Sequence, residues 1–304
     1  MGALTILVTG VTGYVGDALV PRLLADGHDV RGFARDATRV AHGIPAVEGD
    51  AESGDGLAEA LDGVDVAYFL IHSMEGGGSF DAREKRTAET FVEHARSAGV
   101  RRLVFLGGIV PEEDAEGGSE HLESRRAVEE VLLGGAPEAV ALRASMVIGH
   151  GSRSFDFLAS IVEKLPVLAL PGWRDNRTRP IDARDAVEYL ARAGTTLELD
   201  GPATFDVGGA TELSYGEMLL RIGELAGTPR PSIGVPVSAT PLASRVSAVL
   251  TGEDRALLEP LMHSLEFTLL PDDRAARETF ALEPRPFDEA VRWALAQRAD
   301  AVRA

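Results

Sequence analysis

The 304-residue chain contains no cysteine. That excludes disulfides, thiolate nucleophiles and cysteine-ligated metals together. Lysine is nearly missing as well: Lys85 and Lys164 stand alone, and arginine supplies the rest of the positive charge. No apolar run approaches the roughly 20 residues that span a bilayer. The N-terminus runs straight into a strand-like segment, with neither a basic stretch nor a small-residue cleavage site, so no signal peptide is expected. These absences point to a soluble, cytoplasmic protein. Net charge is −18, the wrong sign for gripping a phosphate backbone, so a nucleic-acid partner is not expected. His28, His42, His94, His150 and His263 follow no metal-ligand spacing, and no metal site is expected. An acidic, lysine-poor composition suits a salt-loving cytoplasm, and equally a GC-rich genome that writes arginine for lysine. Composition leaves both open.

What is present is organised around Thr5–Gly16. Leu4, Ile6, Leu7 and Val8 form a short apolar run of strand length. Gly10, Gly13 and Gly16 follow in G-x-x-G-x-x-G spacing, and helical periodicity begins at Tyr14 (Val15, Leu19, Leu23, Leu24). Glycine is needed where a strand turns sharply into a helix and a pyrophosphate approaches the backbone. The helix start then offers unpaired N–H groups and the positive end of its dipole. Gly10, Thr12, Gly13, Tyr14, Val15 and Gly16 are therefore the candidate phosphate-binding turn, in the strand–helix context that this motif requires.

The rest of the first half repeats strand and helix. After a helix over about 14–26 come strands His28–Ala34, Ala46–Glu48 and Val64–Ile71. A helix over about 79–98, strand Leu103–Leu106, a helix over about 119–133 and strand Ala139–Arg143 complete it. Short turns and continuous apolar strands predict an α/β, doubly wound parallel Rossmann sheet with right-handed crossovers. Ligands then bind beyond the C-terminal strand ends, which places Gly10, Arg35, Asp50, Leu70, Ile71, His72 and Gly107 along one rim. At the end of the second strand, where an acidic residue would hold the adenosine ribose, stand Ala34 and Arg35, with Arg31 and Arg39 nearby. Arginine is a planar, permanently charged partner for phosphate, so NADP(H) is expected in preference to NAD(H). Asp50 is placed either to accept from adenine or to cap a turn.

Residues 1–150 are expected to form the nucleotide-binding domain, rejoined by about 174–207, and 151–304 a smaller, mostly helical lobe. In that lobe Phe155–Leu165, Asp182–Arg192 and Ser214–Ala226 read as helices, Thr204–Val207 as a strand, and Thr228–Pro241 as a Pro/Gly-rich stretch. Met74, Phe155 and Trp173 are candidates for an apolar substrate pocket, or else for plain core.

The segment Thr9-Gly10-Val11-Thr12-Gly13-Tyr14-Val15-Gly16 resembles the T-G-x-x-G-x-x-G of the atypical, extended short-chain dehydrogenases/reductases. Tyr68–Met74, Phe105–Gly108, Leu142–Ser145, Ser119–Arg125 and Gly151–Phe155 resemble the NmrA-like, nucleoside-diphosphate-sugar-epimerase-like branch of that superfamily. The resemblance implies an NAD(P)H-binding Rossmann fold. It also implies a catalytic Tyr-x-x-x-Lys, and this chain lacks it. Asp81 and Ser160 precede the two lysines by four, and none of Tyr14, Tyr68, Tyr189 and Tyr215 has a lysine or arginine four on. The matching helix carries His121 and Arg125 at the same i, i+4 spacing. His121 is the candidate proton donor, and Arg125 the candidate contact to the nicotinamide ribose.

Two functions remain open. One is an NADPH-dependent oxidoreductase on an apolar carbonyl, enone or quinone-like substrate. The other is a non-catalytic NADP(H) sensor or accessory subunit, including peripheral association with respiratory complex I, which the resemblance also allows. Substrate and oligomeric state are not legible in the sequence.

Overall fold

The computed structural model describes residues 2–71, 80–109, 120–196, 198–235 and 265–303, with backbone alone at 80–82, 120–125 and 302–303. The first half runs β1 (Thr5–Thr9), α1 (Tyr14–Ala25), β2 (Asp29–Ala34), β3 (Ala46–Glu48), α2 (Leu57–Leu61) and β4 (Val66–Phe69). Then come α3 (Phe80–Ser97), β5 (Arg102–Gly108), α4 (Glu120–Leu133), β6 (Glu138–Ala144), β7 (Val147–Ile148) and α5 (Arg153–Lys164). Short strands β8 (Leu168–Leu170), β9 (Arg177–Thr178) and β10 (Ile181–Asp182) lead into α6 (Ala183–Thr195) and β11 (Ala203–Val207). The chain continues with β12 (Leu213–Ser214), α7 (Tyr215–Leu225), β13 (Ser232–Gly234), α8 (Arg274–Phe280) and α9 (Phe287–Arg303).

Seven strands form one sheet in the order β11-β6-β5-β4-β1-β2-β3, every neighbouring pair parallel. The strands are apolar on both sides because both faces are covered. Alternate residues Ile6, Val8, Val66, Tyr68, Val104, Val140 and Leu142 pack with Leu19, Val20 and Leu23 of α1 and Tyr189 and Leu190 of α6. Their neighbours Leu7, Ala67, Phe69, Leu103, Phe105 and Ala141 face Leu57, Phe91, Val128 and Leu132 from α2, α3 and α4. The period of two along each strand thus feeds two separate cores. Each fully buried aliphatic side chain contributes about 1.5–3 kcal/mol.

A third core lies off the sheet. Phe155, Leu158 and Val162 of α5 meet Leu168 and Leu170, Met218, Leu219 and Ile222 of α7, and Phe287, Val291 and Ala294 of α9. Between α5 and α7 the chain returns to the central sheet, where α6 packs beside α1 and β11 forms the edge. Carboxylates at the start of α6 fasten the last helix. Asp182 caps α6 through the Arg184 N–H at 2.8 Å and holds the Arg184 guanidinium, which lies 4.7 Å from the Trp293 ring. Asp185, almost fully buried, accepts from the Arg285 N–H at 2.7 Å and pairs with its guanidinium.

Several boundaries differ from the sequence expectation for identifiable reasons. β5 begins at Arg102, not Leu103, because that arginine is itself buried, donating to Glu138 and to the Ala193 carbonyl. β4 stops at Phe69, not Ile71, because the Leu70 N–H turns to the Thr9 hydroxyl. The Pro/Gly-rich stretch after Thr228 contains β13, which adds to β8 in parallel. Residues 236–264 lie outside the described residues.

Candidate cofactor site

β1 is flanked by β2 on one side and β4 on the other, and successive crossovers leave it in opposite directions. A crevice opens at the C-terminal ends of strands at such a switch point. Thr9, fully buried, spans the gap: its hydroxyl donates to the Tyr68 carbonyl at 2.9 Å and accepts from the Leu70 N–H at 3.3 Å. Gly10 then takes φ +63°, and a Cβ there would lie 2.7 Å from the Leu70 carbonyl carbon. The Gly13 N–H closes the turn onto the Gly10 carbonyl at 2.9 Å. A Cβ on Gly16 would lie 2.9 Å from both the Gly10 carbonyl carbon and the Val11 Cα. So Gly10 makes the turn and Gly16 lets the helix sit on it.

Gly13 is the N-cap of α1 and no side chain caps the helix. Its first α-type bond is Asp17 N–H to Gly13 carbonyl at 2.8 Å, which leaves the N–H groups of Tyr14, Val15 and Gly16 at the helix mouth. Exposed Thr12 and Gly13 frame that mouth. A glycine-walled turn, uncapped donors and the positive helix end together fit a dinucleotide pyrophosphate.

Tyr14 contributes its backbone here while its ring points elsewhere. A Cβ on Gly149 would lie 2.9 Å from Tyr14 Cζ, and one on Gly151 3.0 Å from its Cδ2, so the ring lies on the loop that follows β7. Burial, and then the carboxylates of Asp182 and Asp156, push its phenol above the ordinary range. Burial raises Tyr68 too, and pushes Tyr189 and Tyr215 up to about 12. No tyrosine of this chain is poised to act as a tyrosinate near neutral pH.

Thr9 pairs with Phe33, so Ala34 and Arg35 leave β2 directly beside the glycine turn. The Arg35 and Arg39 side chains are exposed and make no hydrogen bond or ion pair with the described residues, while the Arg39 N–H donates to the Asp36 carbonyl at 3.3 Å. Arg31 does not belong with them, contrary to the sequence expectation. Its guanidinium donates to the Glu59, Ala60 and Asp62 carbonyls at 2.9–3.2 Å, capping the C-terminus of α2. Arg31 lies on the side of β2 that α2 covers, together with Phe33, whereas Arg35 and Arg39 follow the end of the strand. Asp50 closes the turn after β3: its carboxylate accepts from the Glu52 N–H at 2.7 Å and its own N–H donates to Asp55 at 3.0 Å. Of the two roles open to it in the sequence, the turn role is the one with partners.

Leu70 and Ile71 are half-buried against Gly10, and Gly107, next to last in β5, pairs with Arg143. His72 and Met74 lie outside the described residues. His121 and Arg125 fall on α4, with their side chains outside the description. That helix is anchored one turn beyond Arg125, where buried Glu129 takes the Arg143 guanidinium on both oxygens at 2.7–3.1 Å and the Thr204 hydroxyl at 3.3 Å. Phe155 is fully buried in the third core and presents no surface to a ligand, and Trp173 is nearly so. The α5 heptad spacing and the tight turn at Gly172–Asp175 put these aromatics inward. Thr9 and the pair His42–Asp17 were not singled out from sequence. A threonine closing a strand was the available signal for the first, and the second had none.

The match to known proteins follows this geometry. A family model described as NAD(P)H-binding covers residues 10–145, from the first glycine of the turn to the end of β6. Residues 10–145 therefore match an NAD(P)H-binding domain. The chain is 27% identical over 301 residues to the 3 beta-hydroxysteroid dehydrogenase/Delta 5-->4-isomerase of Mycobacterium tuberculosis, covering 84% of this chain and 79% of that one. It is 28% identical over 267 residues to sterol demethylase protein B of Methylococcus capsulatus, covering 77% and 78%. The UDP-glucose 4-epimerase structure from Thermotoga maritima superposes with a TM-score of 0.76 over 98% of this chain and 100% of that one, at 14% identity. At that identity the likeness concerns the fold alone. The matched domain is of the NAD(P)H-binding kind. Among its described residues no helix is long and apolar enough to cross a membrane.

Proposed function

We propose that the chain is an NADP(H)-dependent oxidoreductase acting on an apolar carbonyl, enone or quinone-like compound. The observation that carries the cofactor preference is the pair of exposed guanidinium groups, Arg35 and Arg39, after β2, which make no hydrogen bond or ion pair among the described residues. Ala34 stands where a carboxylate would repel a 2′-phosphate. Relatives named for hydroxysteroid and sterol chemistry support an apolar, alicyclic substrate.

When bound, a reduced nicotinamide supplies hydride. The glycine turn and the α1 mouth hold the pyrophosphate, and Arg35 and Arg39 hold the 2′-phosphate. His121 donates the proton that a reduced carbonyl oxygen takes up, a role that suits an imidazole near neutral pH. Arg125, one turn along α4, holds the ribose without titrating. None of the four tyrosines has a lysine or arginine four residues on, and His121 takes the place of the missing tyrosine.

Arg35→Ala is expected to weaken NADPH binding about 10–100-fold, the loss of one charged contact, with NADH nearly unchanged. Fluorescence titration of both cofactors checks it; equal losses would remove the 2′-phosphate assignment. The enzymatic proposal is tested by NADPH oxidation against a panel of sterol-like ketones, enones, quinones and aldehydes, wild type beside His121→Ala. A fall of about 100-fold or more in kcat for the variant supports general acid catalysis. Unchanged turnover refutes the role of His121, and tight NADPH binding with no turnover on any substrate favours a sensor.

A further inference from the structure

His42 occupies a backbone conformation that a non-glycine residue rarely takes. Its φ is +64°, in the left-handed region, and Gly43 follows at +66°. Glycine would adopt this turn freely, so a histidine there calls for a compensating contact. The contact is across space: His42 Nε2 lies 3.0 Å from Asp17 Oδ1. A carboxylate only accepts, so the imidazole donates from Nε2. Asp17 sits in the first turn of α1, its N–H making that helix's first bond.

Between β2 and β3 the segment 35–45 is also held elsewhere, its far end included, where Ile44 packs on the first core and the Gly32 N–H donates to the Pro45 carbonyl at 2.8 Å. The Ala37 N–H donates to the Glu48 carboxylate at 3.2 Å, and the Asp36 carboxylate caps the turn that carries Thr38 and Arg39. Val40 packs with Val11 over Gly32. The His42–Asp17 contact adds a tie from the stretch between Val40 and Ile44 to the helix whose mouth takes the pyrophosphate.

We propose that His42 is a positioning residue for cofactor specificity: by pinning this segment to α1 it holds Arg35 and Arg39 where a 2′-phosphate meets them. The proposal rests on the NADP(H) preference argued above. It assigns discrimination between NADPH and NADH to a contact that touches neither. Ordering the two arginines before binding removes an entropic cost that only the phosphorylated cofactor would recover.

The test titrates NADPH and NADH into wild type, His42→Gly, His42→Gln and Asp17→Ala, with thermal melting of each. His42→Gly keeps the backbone conformation and removes the tether, so its melting temperature stays near wild type. It is expected to weaken NADPH about five- to tenfold and to change NADH less than twofold. Asp17→Ala should reproduce that pattern. His42→Gln, which returns a donor at the position of Nε2, should recover NADPH affinity to within about twofold. Wild type favouring NADPH while His42→Gly matches it, or loses both cofactors equally, overturns the role of His42 and leaves the NADP(H) preference standing. Wild type binding both cofactors alike overturns the preference itself, and the role of His42 with it.

Discussion

Gly10→Ala is expected to lower pyridine-nucleotide affinity by more than about 100-fold and to cost about 2–4 kcal/mol of stability. Two effects combine at this position. The φ of +63° is strained for any residue with a Cβ, and that Cβ would press on the Leu70 carbonyl, 2.7 Å from its carbon. Neither strand end can yield, because Thr9 ties β1 to β4 on one side and Ile6, Val8 and Tyr68 are fully buried on the other. Relief comes only by moving the turn, and with it the N–H groups at the mouth of α1. Gly13→Ala is the graded comparison. Its Cβ meets only the Gly10 carbonyl oxygen at 3.1 Å, so a loss of about tenfold or less is expected. Fluorescence titration with urea unfolding separates binding from stability. A folded Gly10→Ala protein that binds NADPH like wild type would move the phosphate site away from this turn.

Asp273→Ala is expected to destabilise the protein by about 3–5 kcal/mol, because it leaves a largely buried guanidinium without its anion. Arg179 meets Asp273 in a two-pronged pair, Nη1–Oδ1 at 2.7 Å and Nη2–Oδ2 at 2.8 Å, with side-chain exposures of 15% and 6%. Arg277 adds a third bond to the same carboxylate at 2.9 Å. The Arg179 backbone in turn accepts from the Ser145 hydroxyl at the end of β6 and from the Gly209 N–H at 3.1 Å. The pair therefore joins the start of α8 to the segment between β9 and β10 and to the rim of the sheet. Replacing both partners together, Arg179→Met with Asp273→Leu, should recover most of the loss, since desolvation of the two charges disappears with them. Urea denaturation of the single and double variants measures this. A loss below about 1 kcal/mol for Asp273→Ala would mean that the charge escapes to water, as exposed pairs do.

Arginine shows how far local pattern reaches. Arg31, Arg35 and Arg39 look alike in sequence, three cations near one strand end. In the fold Arg31 caps α2 while Arg35 and Arg39 remain exposed beside the glycine turn. Tyr14 and the aromatics behave similarly. Its place in the motif was legible, the direction of its ring was not, because Gly149 and Gly151, which receive it, are far along the chain. Phe155 and Trp173 were open between pocket and core until α7 and α9 closed over them.

By itself, then, the sequence determined the strand–turn–helix at Thr5–Gly16, the apolar strands of a parallel sheet and the rim formed by the strand ends. These follow from local backbone geometry: a period of two or 3.6, a glycine where φ turns positive, a helix mouth with unpaired donors. Only the tertiary structure decided which arginine is exposed at the rim, where Tyr14 points, that Phe155 is core, and that His42 reaches Asp17. Each of those depends on a distance between residues remote in sequence, and such distances exist only once the two faces of the sheet and the third core have packed.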